Sequence, residues 1–301
     1  MPEVEIVQSG YSRKKDTVHQ QVMAELEEMK KKSFEQYQDF EVEEGAEKEK
    51  YLEAIEIIKQ DLVDLYEFYG VTIAADDFPE FQLIDANLLP SDDGDETTVG
   101  DHGSLSGAVR FFVKRGPRFL EDIRNIYHEL HHAVGRKAIA VNSGNAKYPR
   151  FRLERSGYVT EVKHKIKDKG PSNYRGKVIE EGLSEFLATS FALNSRAPLV
   201  AAARETYHEE TELDLELVAS PQYNNSRKII ELISAKAAEE NPERQVEILK
   251  LLVSARLDPS LRRELTKEID RLFGKRIGRR LLQASFTEKN VAELLEEMKA
   301  A

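Results

Sequence analysis

Apolar side chains recur at helical spacing through most of this chain and alternate at strand spacing in only a few places. Between residues 13 and 42, Val18, Val22, Leu26 and Met29 fall three or four positions apart with Glu and Lys between them, which predicts an amphipathic helix. Gly45 interrupts the pattern. YLEAIEIIKQDLVDLYEFYG (51–70) then predicts a second helix that stops at Gly70. Two helices joined by a short turn predict an antiparallel hairpin. Packing is its first role; an oligomer contact or an inhibitory segment is the second.

The character then changes. FQLIDANLL (81–89) predicts a strand, and SDDGDETTVGDHGS (91–104) a polar, turn-rich loop. Asp92, Asp93 and Asp95 miss the spacing of a calcium loop and its closing glutamate, so a surface loop is the better reading. In LSGAVRFFVKR (105–115), Val109, Phe111 and Val113 alternate with Arg110 and Phe112 and predict a strand. Pro117 at a first helical turn and Gly135 at a stop bracket a helix whose apolar side is Phe119, Leu120, Ile123, Ile126, Tyr127, Leu130 and Val134. Residues 148–166 predict a hairpin turning at Ser156-Gly157, and VIEEGLSEFLATSFAL (178–193) another helix. A polar stretch follows. Helices are predicted in 222–254, in 259–273 and at the end, where Ser285 and Glu288 have capping-box spacing.

Composition narrows the function. The 301 residues are 40% hydrophobic and 33% charged, which suits a folded chain rather than a disordered one. No apolar run approaches the roughly 20 residues of a membrane helix, and MPEVEIVQSG lacks the pattern of a secretory signal. A cytoplasmic protein is the expectation. A formal charge of −11 argues against a general nucleic-acid binder. Residues 256–283 are locally basic but interleaved with acids, the pattern of a solvated, salt-bridged helix face. There is no cysteine, so any metal must be held by histidine and carboxylate.

Such residues cluster in IYHELHHAVG (126–135). His128 and His132 are four apart in a predicted helix, so their rings leave the same side one turn apart and can bind one zinc ion. Glu129, beside the first, can hold and deprotonate a water at that ion. His131 points about 100° away from His132 and is the poor candidate. A plain alternative is a helix with histidines on a wet face. In VIEEGLSEF, Glu181 and Glu185 are four apart, and Ala188 and Ala192 continue their stripe. Small residues permit close helix approach, which would bring these carboxylates to the metal. Ile179, Leu183, Phe186, Leu187 and Phe191 occupy the other sides and read as core.

HELHH followed by EEGLSEF resembles the gluzincin metallopeptidases, in which HExxH is completed by a glutamate from a later helix. The resemblance covers about residues 105–235. It implies zinc ligands at His128, His132 and Glu181, with Glu180 the rival for the third position. It further implies Glu129 as general base and Glu185 as a carboxylate orienting a ligand histidine. Family members add a downstream Tyr or His to stabilise an oxyanion; Tyr223, in SPQYNNSRKII, is the first choice here and His208, in TYHEE, the second. Gly107-Ala108 sits where the aminopeptidase branch carries GAMEN, but Val109 and Arg110 replace its Met and Glu. That departure speaks against aminopeptidase activity and leaves the strand free to pair with an extended peptide.

The fold expected is α+β, a zincin-like domain over 76–220 with an N-terminal helical region (1–75) and a C-terminal helical subdomain (221–301). The activity expected is Zn2+-dependent hydrolysis of a peptide or protein substrate, with no membrane or nucleic-acid partner. A silent zinc-stabilised interaction module and a zinc hydrolase of another amide or ester share the same residues.

Overall fold

The computed structural model describes residues 4–9, 15–74, 77–89, 100–102, 109–113, 118–135, 137–142, 150–161, 174–211 and 223–301. The acidic residues 91–99, Pro117 and Gly107-Ala108 lie outside these. The fold is mainly helical with two small sheets, an α+β arrangement. No helix among the described residues is long and apolar enough to cross a membrane.

The N-terminal half contains β1 (Val4–Ser9), α1 (Lys15–Glu35), α2 (Ala46–Phe68), β2 (Phe81–Asp85), β3 (Gly100–His102), β4 (Val109–Val113) and α3 (Phe119–Ala133). Then come β5 (Lys137–Asn142), β6 (Arg150–Ser156), β7 (Val159–Glu161), β8 (Tyr174–Arg175), α4 (Lys177–Asn194) and α5 (Pro198–Thr211). The chain closes with α6 (Asn224–Glu240), α7 (Pro242–Leu257), α8 (Arg262–Phe273), α9 (Ile277–Gln283) and α10 (Glu288–Lys299).

One sheet has the order β2-β4-β3, with β2 parallel and β3 antiparallel to β4. Helix α3 packs on β3 and β4, and α4 is sandwiched between α3 and α6. The other sheet runs β1-β5-β6-β7-β8, with β1 parallel to β5 and the remaining pairs antiparallel. Buried side chains from Val42 to Met298 form one continuous core, in which helices α2 to α10 share an interior with the β2-β4-β3 sheet.

Most expected elements form, with shifted ends. The helix predicted over 13–42 stops at Glu35, because Gln38–Phe40 tightens into a 3-10 turn. Its carbonyls at Ser33 and Phe34 accept from Arg110 and Gln82, and Lys30 pairs with Glu80. Those contacts tie α1 to β2 and β4, while α2 packs on α3; the pair is not a simple hairpin. The strand predicted over 81–89 ends at Asp85, whose carboxylate accepts from the Asn87 amide at 3.0 Å and starts a 3-10 turn. The hairpin turns at Gly157 as expected, in the left-handed region with φ 52°. Helix α10 is capped by Thr287, which accepts from the Asn290 amide at 3.3 Å, and not by Ser285. Several features were unforeseen: α5 forms in the stretch read as polar, β3 forms inside the loop expected over 91–104, and β5 and β8 were not expected as strands. Strand β1 stands in a region expected to be helical and pairs with β5, 133 positions away at its first register, Val4 on Lys137.

Candidate metal centre

Helix α3 is buried almost all round: twelve of its fifteen residues are inaccessible. A helix with histidines on a wet face is thereby excluded. Apolar residues Ile123, Ile126 and Leu130 enter the core, Asp122 accepts from Tyr51 of α2, and Arg124, His128, His131 and His132 meet α4. Tyr127 packs its ring on Phe191 of α4, with centroids 4.9 Å apart. Gly182 lets α6 press in from the other side, since a Cβ there would lie 2.5 Å from the Ser226 carbonyl oxygen.

This packing brings three ligand atoms together. His128 Nε2 and His132 Nε2 are 3.0 Å apart, and Glu181 Oε2 lies 3.3 and 3.2 Å from them. Donors around a tetrahedral ion with bonds of about 2.0–2.1 Å stand about 3.3 Å apart, so two imidazoles and a carboxylate at these separations fit a divalent metal. Among the described residues this is the cluster able to hold one.

The outward ring nitrogens are held as well. His128 Nδ1 faces Glu185 Oε2 at 3.1 Å, and His132 Nδ1 faces Glu180 Oε1 at 3.0 Å. Each of these carboxylates meets an arginine. Arg124 donates to both oxygens of Glu185, at 2.7 and 2.8 Å. Arg256, from the end of α7, donates through Nε to Glu180 Oε1 at 2.9 Å. The Tyr158 amide in the hairpin turn donates to Glu180 Oε2 at 2.8 Å. Two carboxylates thus orient the two rings and fix the nitrogen each offers inward, while two arginines balance their charge. Glu180, the rival third ligand, is one of these orienting groups; Glu181 faces the rings.

Charge follows geometry. Burial alone would raise the Glu181 carboxyl, but His132 and His128 hold it well below the usual range. Burial likewise opposes the Glu180 charge, and Arg256 followed by His132 more than offsets it. His131 is turned away from the cluster. Its Nδ1 is 2.7 Å from Ser184 Oγ and its Nε2 is 3.1 Å from the Tyr66 hydroxyl. Arg256 also donates to that hydroxyl, at 2.8 Å, so the single Tyr66 proton goes to His131 Nε2. Burial, then Arg256, pushes His131 well down, and it stays neutral.

The remaining expected residues divide. Tyr223 caps α6 and stacks on His128, with centroids 4.9 Å apart and planes 20° apart. Burial, then the charges of Glu181, Glu129 and Glu185, raises its hydroxyl far above the usual phenol value. Glu129 is half-buried, and its charge acts on both His128 and Tyr223. His208 is exposed on α5 and is not brought to the cluster. Its neighbour Tyr207 is buried and donates to Glu121 at 3.2 Å.

Sequence reasoning missed Arg256, placed in a basic run expected to be solvated. It is fully buried. Arg271 and Arg280 from the same run do form the expected surface ion pairs, with Glu240 and Glu297. Arg124 was missed too; its signal is its place four positions before His128, on the same helix face.

Comparison with known proteins returns no match: no family model, no curated protein and no solved structure matches the chain.

Proposed function

We propose that the protein is a zinc-dependent hydrolase of peptide bonds, built on a zincin-like core of α3, α4 and the β2-β4-β3 sheet. The observation that carries this reading is the triangle of His128 Nε2, His132 Nε2 and Glu181 Oε2, with Glu129 beside it on the same helix. Two imidazoles and one carboxylate suit zinc and leave room for a fourth ligand. A bound zinc ion supplies Lewis acidity, acidifying a water and polarising a carbonyl.

Protein side chains do the rest. Glu185 and Glu180 keep both ring Nδ1 atoms engaged, so each Nε2 points inward. Glu129 takes the proton of the attacking water and delivers it to the departing amine. The Tyr223 hydroxyl, kept protonated by burial and by the surrounding carboxylates, donates to the oxygen that becomes negative as the carbonyl is attacked. His208, on the exposed side of α5, has no part in this scheme.

The test is Glu129→Gln. Zinc content should stay at wild-type level, while peptide cleavage falls by about 10²- to 10⁴-fold. Unchanged turnover would remove this mechanism. The enclosure of His128 and Glu185 favours one other reading, an ion that only braces the fold. Tight zinc binding by the wild-type protein with no cleavage across a diverse peptide library would decide for it.

A further inference from the structure

Four side-chain contacts form a closed circuit that begins and ends on the metal cluster. Tyr223 stacks on His128. Phe286, from the segment between α9 and α10, lies 6.1 Å from the Tyr223 ring centre to centre. Lys177 Nζ sits 4.9 Å above the Phe286 ring. The same ammonium is 3.7 Å from Glu181 Oε1, the oxygen not facing the histidines. Tyr223, Phe286 and Lys177 are all half-buried, so this wall reaches solvent.

Lys177 is unlike the other cations beside the cluster. Arg124 and Arg256 are buried and occupied by Glu185 and Glu180. The Lys177 side chain is 38% exposed. Among the described residues beside the cluster, half-buried Glu129 and buried Glu181 are carboxylates that repel an anion. An anionic group is therefore favoured beside Lys177 and disfavoured beside Glu129 and Glu181.

We propose that Lys177 is a specificity-determining residue whose ammonium receives a carboxylate of the substrate, with Phe286 and Tyr223 forming an apolar wall for the adjoining portion. The inference rests on the hydrolytic reading of the site and names its substrate class: a chain with a carboxylate close to the scissile bond. That carboxylate is either the C-terminus or an acidic side chain.

The experiment measures binding, so that it stands apart from turnover. Glu129→Gln protein with zinc added is titrated calorimetrically with two pairs of peptides. One pair differs in a free or amidated C-terminus, the other in an internal Glu or Gln. At least one carboxylate form should bind about tenfold more tightly than its neutral partner, the scale of one hydrogen bond to a charged group. The pair that shows the difference identifies the source. Adding Lys177→Met should erase the preference at unchanged zinc content, and Lys177→Arg should retain it. Equal affinities within both pairs, or a preference that survives Lys177→Met, would overturn the proposal. Loss of zinc on Lys177→Met would also overturn it, in favour of a role in holding Glu181. A wild-type protein that cleaves nothing, but shows the Lys177-dependent preference, would sink the hydrolytic reading and leave this surface intact.

Discussion

Arg256 and Glu180 lie 76 positions apart in sequence and meet in the interior, with Arg256 Nε 2.9 Å from Glu180 Oε1. The same guanidinium reaches the Tyr66 hydroxyl on α2 and the His131 carbonyl on α3. One side chain from α7 therefore ties together three helices around the candidate metal centre. Removing either partner leaves a buried charge without its counterion, which costs about 3–5 kcal/mol. Arg256→Met should lower the unfolding free energy by about that much, and the loss should shrink when Glu180→Gln is added. Urea denaturation of the four proteins checks it; strictly additive losses would show that the two do not act as a pair.

Much of this centre was legible beforehand, for a physical reason. His128, Glu129 and His132 are local, and helical periodicity alone places two rings on one side. Glu181 and Glu185 follow the same rule on α4. What local pattern cannot encode is which distant charge completes a buried one. Arg256 ends an ordinary amphipathic helix and opens a basic run, so nothing nearby distinguishes it from Arg271 or Arg280. Strand β1 was hidden likewise, since its partner β5 lies beyond α3 and the pairing is parallel. Helix α5 was hidden by its polar surface; among its described side chains only Val200, Ala203 and Tyr207 are buried.

Metal binding should strengthen as the pH rises. With no ion bound, His132 is pushed up to about 10, because Glu181 and Glu180 outweigh the burial that opposes its charge. A proton held more tightly in the folded state stabilises it fully below the ordinary histidine value of 6.5, and that stabilisation is lost as the pH rises through about 10. Chelator-treated protein should accordingly melt at a lower temperature at about pH 9 than at about pH 6.5. Ions displace the same proton, so zinc affinity should rise by up to about tenfold per pH unit across that window. Melting curves with and without chelator, with calorimetry in two buffers of different ionisation heat, test both halves.

Tyr223→Phe isolates the hydroxyl. The ring would still stack on His128, so zinc content and stability should barely change. If the phenol donates to the developing oxyanion, kcat should fall by about 10²- to 10³-fold with KM little altered. A variant as fast as wild type would limit Tyr223 to packing against the histidine.

Gly182→Ala probes the approach of α4 and α6. The added methyl would meet the Ser226 carbonyl oxygen at 2.5 Å, and a backbone atom cannot swing aside as a flexible side chain can. Overpacking of this kind costs about 1–3 kcal/mol. Because Glu181 is the adjacent residue, displacement of α4 should weaken zinc binding along with the fold. A thermal melt and a competitive zinc titration on the same sample would register both losses; a wild-type zinc affinity would mean that α6 yields and α4 stays in place.

The three histidines of α3 should separate cleanly. His132→Ala removes a ligand atom from the triangle, and the protein should lose zinc on dialysis. His131→Ala removes no ligand, but it takes the acceptor from the buried Tyr66 hydroxyl proton and leaves Ser184 only its longer contact with His132 Nδ1. Unpaired buried groups and the cavity together cost about 2–4 kcal/mol, so this variant should unfold earlier yet still bind about one zinc per chain while folded. Metal analysis beside a denaturation curve distinguishes the two. Zinc loss from folded His131→Ala, with retention by His132→Ala, would mean that the helix presents its other side to the metal.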